Sequence, residues 1–307
     1  MDMDEYAYKA CYVSVKNYYI PAKPEEADSL RANPIEEVKK RGYSNKEDCI
    51  IWGIGDSQDL IIHKIETIAN ISSALRLIDR MVKERLSIPG IDEIVFCYGM
   101  GHNFRYDVAK INPYKGHRPS QKPQQLPEVI DYILGKYNVI SEDGIETDDI
   151  LGKEHTKPGA DTIIASQDKD LRTIPGRYLD RNLNIINIEP FEALRWLYTQ
   201  LLTGDSVDNI WTIPGMGLKT AEKLIAKCKT EVQLFNVVRS VYRDALERPL
   251  EKRKFRAEGR NVFPSRQERD EYSVLGEIGK LIYIHRSDRE NWWPNEPEIN
   301  KEMRGIT

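Results

Sequence analysis

The chain has little that would indicate a secreted, disulfide-rich or membrane-spanning protein. Its 307 residues include only four cysteines, which lie far apart, so neither a zinc motif nor a disulfide framework is indicated and a reducing cytoplasm is the expected location. No apolar run approaches the length of a bilayer span, and the acidic N-terminus is unlike a signal peptide, so we expect no membrane partner. The five histidines show no paired metal-ligand spacing.

Positive charge is not in excess either, because the formal net charge is −4. A general attraction to nucleic acid is therefore not expected, although acids crowded into a metal site would hide a local basic surface in this sum. Basic residues gather at 105–122, 219–229 and 248–256. With 40% hydrophobic residues, the chain can bury a large core in one large domain or two smaller ones.

Short apolar runs rich in β-forming residues recur along the first two thirds of the chain. Those at 94–98, 139–140, 162–165 and 183–188 predict buried strands. Helical patterns separate several of them, which predicts an α/β fold with a largely parallel sheet.

The remaining segments have simpler patterns. Residues 21–48 are rich in Pro, Glu, Lys and Asn and predict a loop or insertion. From Ile61 to Val82 the apolar residues fall near helical spacing, which predicts one or two helices ending before Pro89. After residue 190 the pattern is helical, and Trp292-Trp293-Pro294 predicts a tail packed against the body.

Acidic residues follow the predicted strands, where α/β proteins gather functional groups. Glu146, Asp148 and Asp149 stand where a loop enters a helix, although capping and the helix dipole explain such acids equally well. Asp168 and Asp170 are two residues apart, so both can reach one cation from a loop.

A third acidic pair, Asp205 and Asp208, follows an apolar helical run and is also suited to a hard cation. Acids packed so closely raise one another's pKa unless positive charge is added. All-carboxylate sites suit Mg²⁺ or Mn²⁺, and two such ions about 4 Å apart can activate water and stabilise the leaving oxygen in phosphodiester cleavage.

A glycine turn follows the third acidic pair. Gly215 and Gly217 allow a tight turn, and free N–H groups at the start of the helix from Leu218 favour a phosphate. Lys219 adds positive charge and Thr220 a hydroxyl group. A surface turn is the alternative for either half alone, but a cation site beside a phosphate site is what a phosphodiester nuclease requires.

Three motifs, at 146–149, 166–171 and 204–217, resemble in content, order and spacing the successive motifs of the 5′ nucleases. This family includes flap endonucleases, the 5′-nuclease domain of bacterial DNA polymerase I, and bacteriophage 5′→3′ exonucleases. The resemblance covers about residues 1–230. Segments 103–105 and 113–118 make the bacteriophage enzymes look nearest.

The resemblance implies a fold and a division of the chain. It implies a PIN-like nuclease core at 1–188 with a helical arch near 110–135. A helix-three-turn-helix DNA-binding region with C-terminal helices would follow at 189–307.

The resemblance also implies site residues and cofactors. Arg105, Lys115 and Arg118 would contact the scissile phosphate, and Gly215, Gly217, Lys219 and Thr220 would grip the duplex, where relatives often hold K⁺ through backbone carbonyls. Two Mg²⁺ or Mn²⁺ ions would be bound by Asp2, Glu146, Asp148, Asp149, Asp168, Asp170, Asp205 and Asp208.

Two features depart from the family. Met100 stands where relatives carry an aspartate, and a thioether is a poor ligand for Mg²⁺. Either the first metal site works with fewer protein ligands, or an acid comes from elsewhere, or activity is reduced. No strand precedes Asp2, so we expect a truncated or misassigned start and a poorly held Asp2.

The leading hypothesis is a monomeric, metal-dependent 5′→3′ exonuclease and flap endonuclease. Its substrates would be DNA with free 5′ ends, flaps or forks, with RNA in RNA–DNA hybrids as a further substrate. A catalytically impaired DNA-binding protein and a PIN-domain ribonuclease acting on single strands are the alternatives.

Overall fold

The computed structural model describes residues 1–13, 15–32, 34–54, 59–68, 70–116, 122–254, 262–289 and 292. The chain forms two compact units, of which the first comprises 1–3, 95–120 and 139–307 and the second 4–94 and 121–138. In chain order the elements are α1 (Met3–Val13), β1 (Val15–Ala22), α2 (Ala27–Ala32), α3 (Pro34–Arg41), α4 (Lys46–Asp48), β2 (Ile61–Ile68), α5 (Ile71–Leu86), β3 (Val95–Met100), α6 (Arg105–Val108), α7 (Leu126–Lys136), β4 (Asn138–Asp143), α8 (Thr147–His155), β5 (Ile163–Ile164), β6 (Gly176–Leu179), β7 (Ile185–Ile188), α9 (Pro190–Thr203), α10 (Leu218–Ile225), α11 (Glu231–Leu246), α12 (Leu250–Arg253) and α13 (Glu271–Ile282).

Strand β3 of the first unit pairs with the first two residues of the chain. Asp2 forms a parallel bridge with Cys97, the Met1 amine donates to the Val95 carbonyl at 2.6 Å, and the Cys97 N–H donates to the Met1 carbonyl at 2.8 Å. Asp2 is buried. The expectation that Asp2 is poorly held was wrong, because β3 supplies the hydrogen bonds that a longer first strand would have shared with it.

The mixed α/β fold with parallel strand pairing is confirmed. Strands β5 and β6 are parallel, β6 and β7 are antiparallel, and β3 pairs with β4 in a separate sheet. The four predicted strands correspond to β3, β4, β5 and β7. Strand β6 was not predicted, because it is only four residues long and includes a glycine and an arginine.

Helices dominate the first unit after residue 190, as predicted. Helices α9, α11 and α13 pack around a core that includes Leu201, Phe235, Tyr242 and Leu275. Trp292 is buried beside Tyr198, whereas 293–294, the rest of the predicted tail, lie outside the described residues. The predicted boundary at 188/189 falls within this unit, and the functional division there stays a prediction.

The second unit corrects two predictions. Residues 61–68 form a strand antiparallel to β1 rather than a helix, because a run of β-branched residues pairs with a strand distant in sequence. Of the predicted helical stretch, only the part in α5 is helical, and it ends before Pro89 as predicted. Residues 24–48 contain short helices rather than a continuous loop. Leu30 and Val38 explain this difference, because they pack with Ile20 and Ile65 in a small core.

The predicted arch spans residues that the structure describes only in part. Residues 117–121 lie outside the description, and α7 belongs to the second unit, so the arch stays a prediction. Among the described residues, no helix combines the length and apolar character that a bilayer span requires.

Candidate active site

The start of α8 lies against the end of β3. The N–H of Gly99 donates to Thr147 Oγ1 at 2.9 Å, and a Cβ on Gly99 would stand 2.3 Å from the Ile145 carbonyl oxygen. Only glycine permits this approach. It fixes Glu146, the N-cap of α8, and Asp148, in its first turn, near the carboxyl end of β3.

The second acidic segment follows β5. Ser166 Oγ lies 3.4 Å from Asp2 Oδ2 and accepts from the Asp168 N–H at 3.1 Å. Asp168 in turn accepts from the Asp170 N–H at 2.8 Å. These contacts place Asp2 beside acids that are more than 160 residues away in sequence.

The third acidic segment is a loop closed on itself. Asp205 and Ile210 exchange backbone hydrogen bonds of 3.0 and 2.8 Å, and Asp205 Oδ1 accepts from the N–H groups of Val207 and Asp208. Gly204 has φ +67°, and a Cβ there would meet the Ile210 carbonyl oxygen at 2.2 Å. The sequence therefore fixes the direction of Asp205 locally.

These segments meet at one pocket of the first unit. Five of the predicted metal ligands line it, joined by residues of the 105–114 segment, α9 and the 281–284 segment. The polar lining residues are Arg105, Tyr114, Glu146, Asp148, Asp170, Gln200, Asp205 and Asp208.

Two lysines each bridge a pair of these acids. Lys115 Nζ forms an ion pair with Glu146 and lies 3.8 Å from Asp208 Oδ2. Lys169 Nζ lies 2.6 Å from Asp205 Oδ2 and 3.7 Å from Asp170 Oδ1. The ammonium groups thus neutralise part of the charge of the carboxylate cluster.

The remaining negative charge is visible in the pKa values. Burial, followed by the charges of Asp2 and Asp168, holds the pKa of Asp148 well above its ordinary value. Burial and the Asp168 charge raise the pKa of Asp170 to about 7. By contrast, the pKa of Asp205 is lowered. Burial alone would raise it, but the hydrogen bond and charge of the Lys169 ammonium outweigh that effect.

Arg105 and Asp149 are engaged with each other. The guanidinium donates to both carboxylate oxygens of Asp149 at 2.6 and 2.8 Å and to the carbonyl oxygens of Leu281 and Tyr283. Its Nη1 also lies 3.1 Å from Glu146. Four of the five N–H donors of this arginine are therefore hydrogen-bonded to protein groups, and Nη1 also faces the Glu146 carboxylate. The geometry favours a structural ion pair over the predicted phosphate-contacting and metal-ligating roles.

The chemistry of the pocket fits a hydrated divalent cation. Its donors are carboxylate oxygens, as Mg²⁺ and Mn²⁺ prefer. Gln200 donates to Asp170, while its buried Oε1 has no hydrogen-bond partner among the described residues and leaves an acceptor for a bound water. Within the described part of the chain, no three acidic, histidine or cysteine side chains form a closed metal-ligating group.

The glycine turn is open. Gly215 has φ +79°, and a Cβ on Gly215 or Gly217 would touch nothing within 4 Å. Helix α10 starts after Gly217 without a side-chain cap, and Lys219 and Thr220 are exposed.

The structure adds residues to the site and leaves one prediction undescribed. Tyr114, Lys169 and Gln200 were not predicted. Tyr114 lies in segment 113–118 and Lys169 in the motif at 166–171, so the family resemblance already pointed to their neighbourhood. Nothing in the sequence pattern indicated Gln200. Arg118 lies outside the described residues, and Met100 ends β3 partly exposed.

Comparison with known proteins gives similarity over part of the chain. No family model matches. DNA polymerase I of Rhizobium leguminosarum is 31% identical over 151 residues, which cover 43% of this chain and 14% of that protein. A 5′-3′ exonuclease of Streptomyces coelicolor is 26% identical over 184 residues, covering 50% of this chain and 60% of that one.

The chain is similar to 5′-3′ exonucleases and to DNA polymerase I. It spans 14% and 60% of the length of these two curated relatives. Both are bacterial proteins, and a bacteriophage origin stays a prediction. A structure described as T5 5′-exonuclease with bound zinc ions has a TM-score of 0.42 and 16% identity, covering 69% of this chain and 91% of that one.

Proposed function

We propose that this chain is a divalent-metal-dependent 5′→3′ exonuclease with flap endonuclease activity on DNA. The observation that carries the proposal is the meeting of Glu146, Asp148, Asp170, Asp205 and Asp208 at one pocket. A cluster with raised carboxyl pKa values and an unpartnered acceptor suits hard cations. The similarity to 5′-3′ exonucleases supports the same activity.

The proposed ligands are the pocket acids together with Asp2 and Asp168, and the ion is Mg²⁺ or Mn²⁺, two per chain. A cation held by these residues would activate the attacking water and neutralise charge on the reacting phosphate. For Asp149 and Arg105 we propose a structural role in place of metal ligation and phosphate contact. Their ion pair supports the first turn of α8, from which Asp148 projects.

Lys115 and Tyr114 orient the reacting groups. The Tyr114 hydroxyl lies 2.9 Å from Glu146 Oε2 and 2.8 Å from Asp208 Oδ2, and so sets the spacing of these carboxylates. The Lys115 ammonium is partly exposed at the pocket, where it can turn from Glu146 to a phosphate oxygen and stabilise its developing charge. Arg118 is proposed for the same purpose.

The glycine turn is the proposed duplex grip. Its open backbone at Gly215 and Gly217 lets a DNA backbone approach closely, the uncapped N–H groups of α10 favour a phosphate, and Lys219 and Thr220 add donors. K⁺ bound by backbone carbonyls is proposed here too. The remaining proposals are a PIN-like core, a helical arch, RNA–DNA hybrids as further substrates, a monomer, and action in the cytoplasm.

Cleavage of an end-labelled 5′-flap DNA in Mg²⁺ or Mn²⁺ tests the proposal. The wild type is expected to shorten the flap strand, and Asp170→Asn is expected to abolish cleavage while retaining DNA binding. Asp244→Asn is the matched control, because Asp244 is an exposed acid of α11 in the same unit that does not line the pocket. Full activity of Asp170→Asn would refute the assignment.

A catalytically impaired DNA-binding protein is the second candidate. Two observations favour it: Met100 stands at a position where the 5′ nucleases resembled here carry an acid, and the described residues form no closed metal-ligating group. In the same assay this protein would retard the DNA in a gel without shortening it. A preference for single-stranded RNA over forked DNA would instead support the PIN-domain ribonuclease.

A further inference from the structure

An exposed aromatic stack lies in the first unit just after β3. The rings of His102 and Tyr106 are 5.0 Å apart with an interplanar angle of 28°. The His102 side chain is 64% exposed and Tyr106 is 43% exposed. A ring with so much exposed surface has only one face covered, so the face of His102 that points away from Tyr106 is open.

The stack stands on a fixed base. Arg105 lies between the two rings in sequence and is buried, with its guanidinium paired to Asp149. Its backbone N–H donates to Asn103 Oδ1 at 3.0 Å. His102 Nε2 also lies 3.3 Å from the exposed carboxylate of Asp107. The rings are therefore held in place without a covering side chain.

The stack also adjoins the carboxylate pocket. Tyr106 meets Tyr114 edge to face, with ring centroids 5.4 Å apart. Tyr114 hydrogen-bonds to Glu146 and Asp208, both proposed metal ligands. One ring, that of Tyr114, thus separates the stack from the carboxylates.

We propose that the outer face of His102 binds an unpaired base of the cleaved DNA strand, one or two nucleotides from the reacting phosphate. This rests on the proposed nuclease function. An aromatic face stacks on any base without reading its sequence, because every base has a π-face. Asp107 repels phosphate beside the ring, so a base rather than the sugar–phosphate backbone fits there.

The site would give the enzyme a preference for substrates that are single-stranded at the reacting end. A base inside an intact duplex is stacked between its neighbours and does not offer a free face. A base in a flap or a frayed end does. The stack would therefore strengthen binding of flaps without any sequence preference.

The test is an abasic scan of a fluorescently labelled 5′-flap DNA, read by fluorescence anisotropy with the full chain in EDTA. For the wild type, an abasic nucleotide is expected to weaken binding about 5- to 100-fold at one or two adjacent positions near the junction, and little elsewhere. His102→Ala is expected to bind the intact flap as weakly as the wild type binds that abasic flap. It should also lose the position dependence.

Two variants separate stacking from other effects. His102→Phe keeps an aromatic ring without the contact to Asp107 and should show the position dependence that His102→Ala lacks. Asp107→Ala keeps the His102 ring and should also show the position dependence. Circular dichroism checks that each variant is folded. If the wild type shows no position dependence, or His102→Ala keeps it, the proposed site is wrong.

This experiment is independent of catalysis. If the wild type cleaves no substrate in metal but shows the position dependence in EDTA, the nuclease proposal fails while base stacking stands. If it cleaves flaps and shows no position dependence, the base-stacking proposal fails while the nuclease proposal stands.

Discussion

Arg105 and Asp149 form a buried, bidentate ion pair, with N–O distances of 2.6 and 2.8 Å. Residues 44 apart in sequence are thereby joined beneath the first turn of α8. The His285 N–H also donates to Asp149 at 3.0 Å, so the segment after α13 is held at the same point. Arg105 and Asp149 thus hold together the segments that form the pocket.

Asp149→Ala is expected to lower the free energy of unfolding by about 3–5 kcal/mol, because it removes the bidentate partner of the buried Arg105 charge. Urea denaturation measures this change. Asp107→Ala, which removes an exposed acid, should change stability by less than about 0.5 kcal/mol. Equal effects of the two variants would contradict a structural role for the pair.

The same pair makes stability depend on pH. Burial raises the pKa of Asp149, but the Arg105 charge and hydrogen bonds outweigh it and hold this pKa below its ordinary value of 3.8. The stabilisation is therefore complete above pH 3.8 and is lost as the pH falls through the folded-state pKa. Unfolding of the wild type and Asp149→Ala followed from pH 6 to pH 2 should show their difference shrinking only below about pH 4.

Lys169→Met is expected to tighten Mn²⁺ binding about two- to fivefold, because it removes a positive charge that lies 2.6 Å from Asp205 and 3.7 Å from Asp170. Isothermal titration calorimetry measures the affinity. Lys169→Arg keeps the charge and should bind as the wild type does. Unchanged affinity in Lys169→Met would show that Lys169 does not compete with the cation.

Gly99→Ala is expected to lower both stability and cleavage, since its Cβ would stand 2.3 Å from the Ile145 carbonyl oxygen and push the start of α8 aside. Thermal unfolding and the flap assay measure the two losses. Gly276→Ala on α13 is the matched control, because a Cβ there meets nothing within 4 Å. A wild-type result for Gly99→Ala would mean that β3 and α8 tolerate a wider separation.

Lys219→Ala is expected to weaken DNA binding about equally for all sequences and to reduce the slope of log K against log salt concentration by about 1. Anisotropy titrations at several salt concentrations give the slope. Lys157→Ala should leave it unchanged, because Lys157 is paired with Glu154. An unaltered slope for Lys219→Ala would exclude it from the phosphate contacts.

Local sequence was a good guide wherever the deciding interactions were local. The run at 94–98 predicted β3, the helical pattern after 190 predicted the helices around Leu201 and Tyr242, and the short spacing within each acidic motif predicted where carboxylates lie together. In each case neighbours in the chain decide the outcome. Strand β2 was missed because its partner β1 is distant in sequence.

The amino-acid sequence by itself determined the three acidic loops, the glycine turn and the mixed α/β class, because spacing, backbone freedom and hydrophobic pattern act over a few residues. Only the tertiary structure decided that Asp2 pairs with β3 and that Arg105 forms its ion pair with Asp149. These outcomes depend on burial and on contacts between distant segments. Neighbouring residues in the chain encode neither.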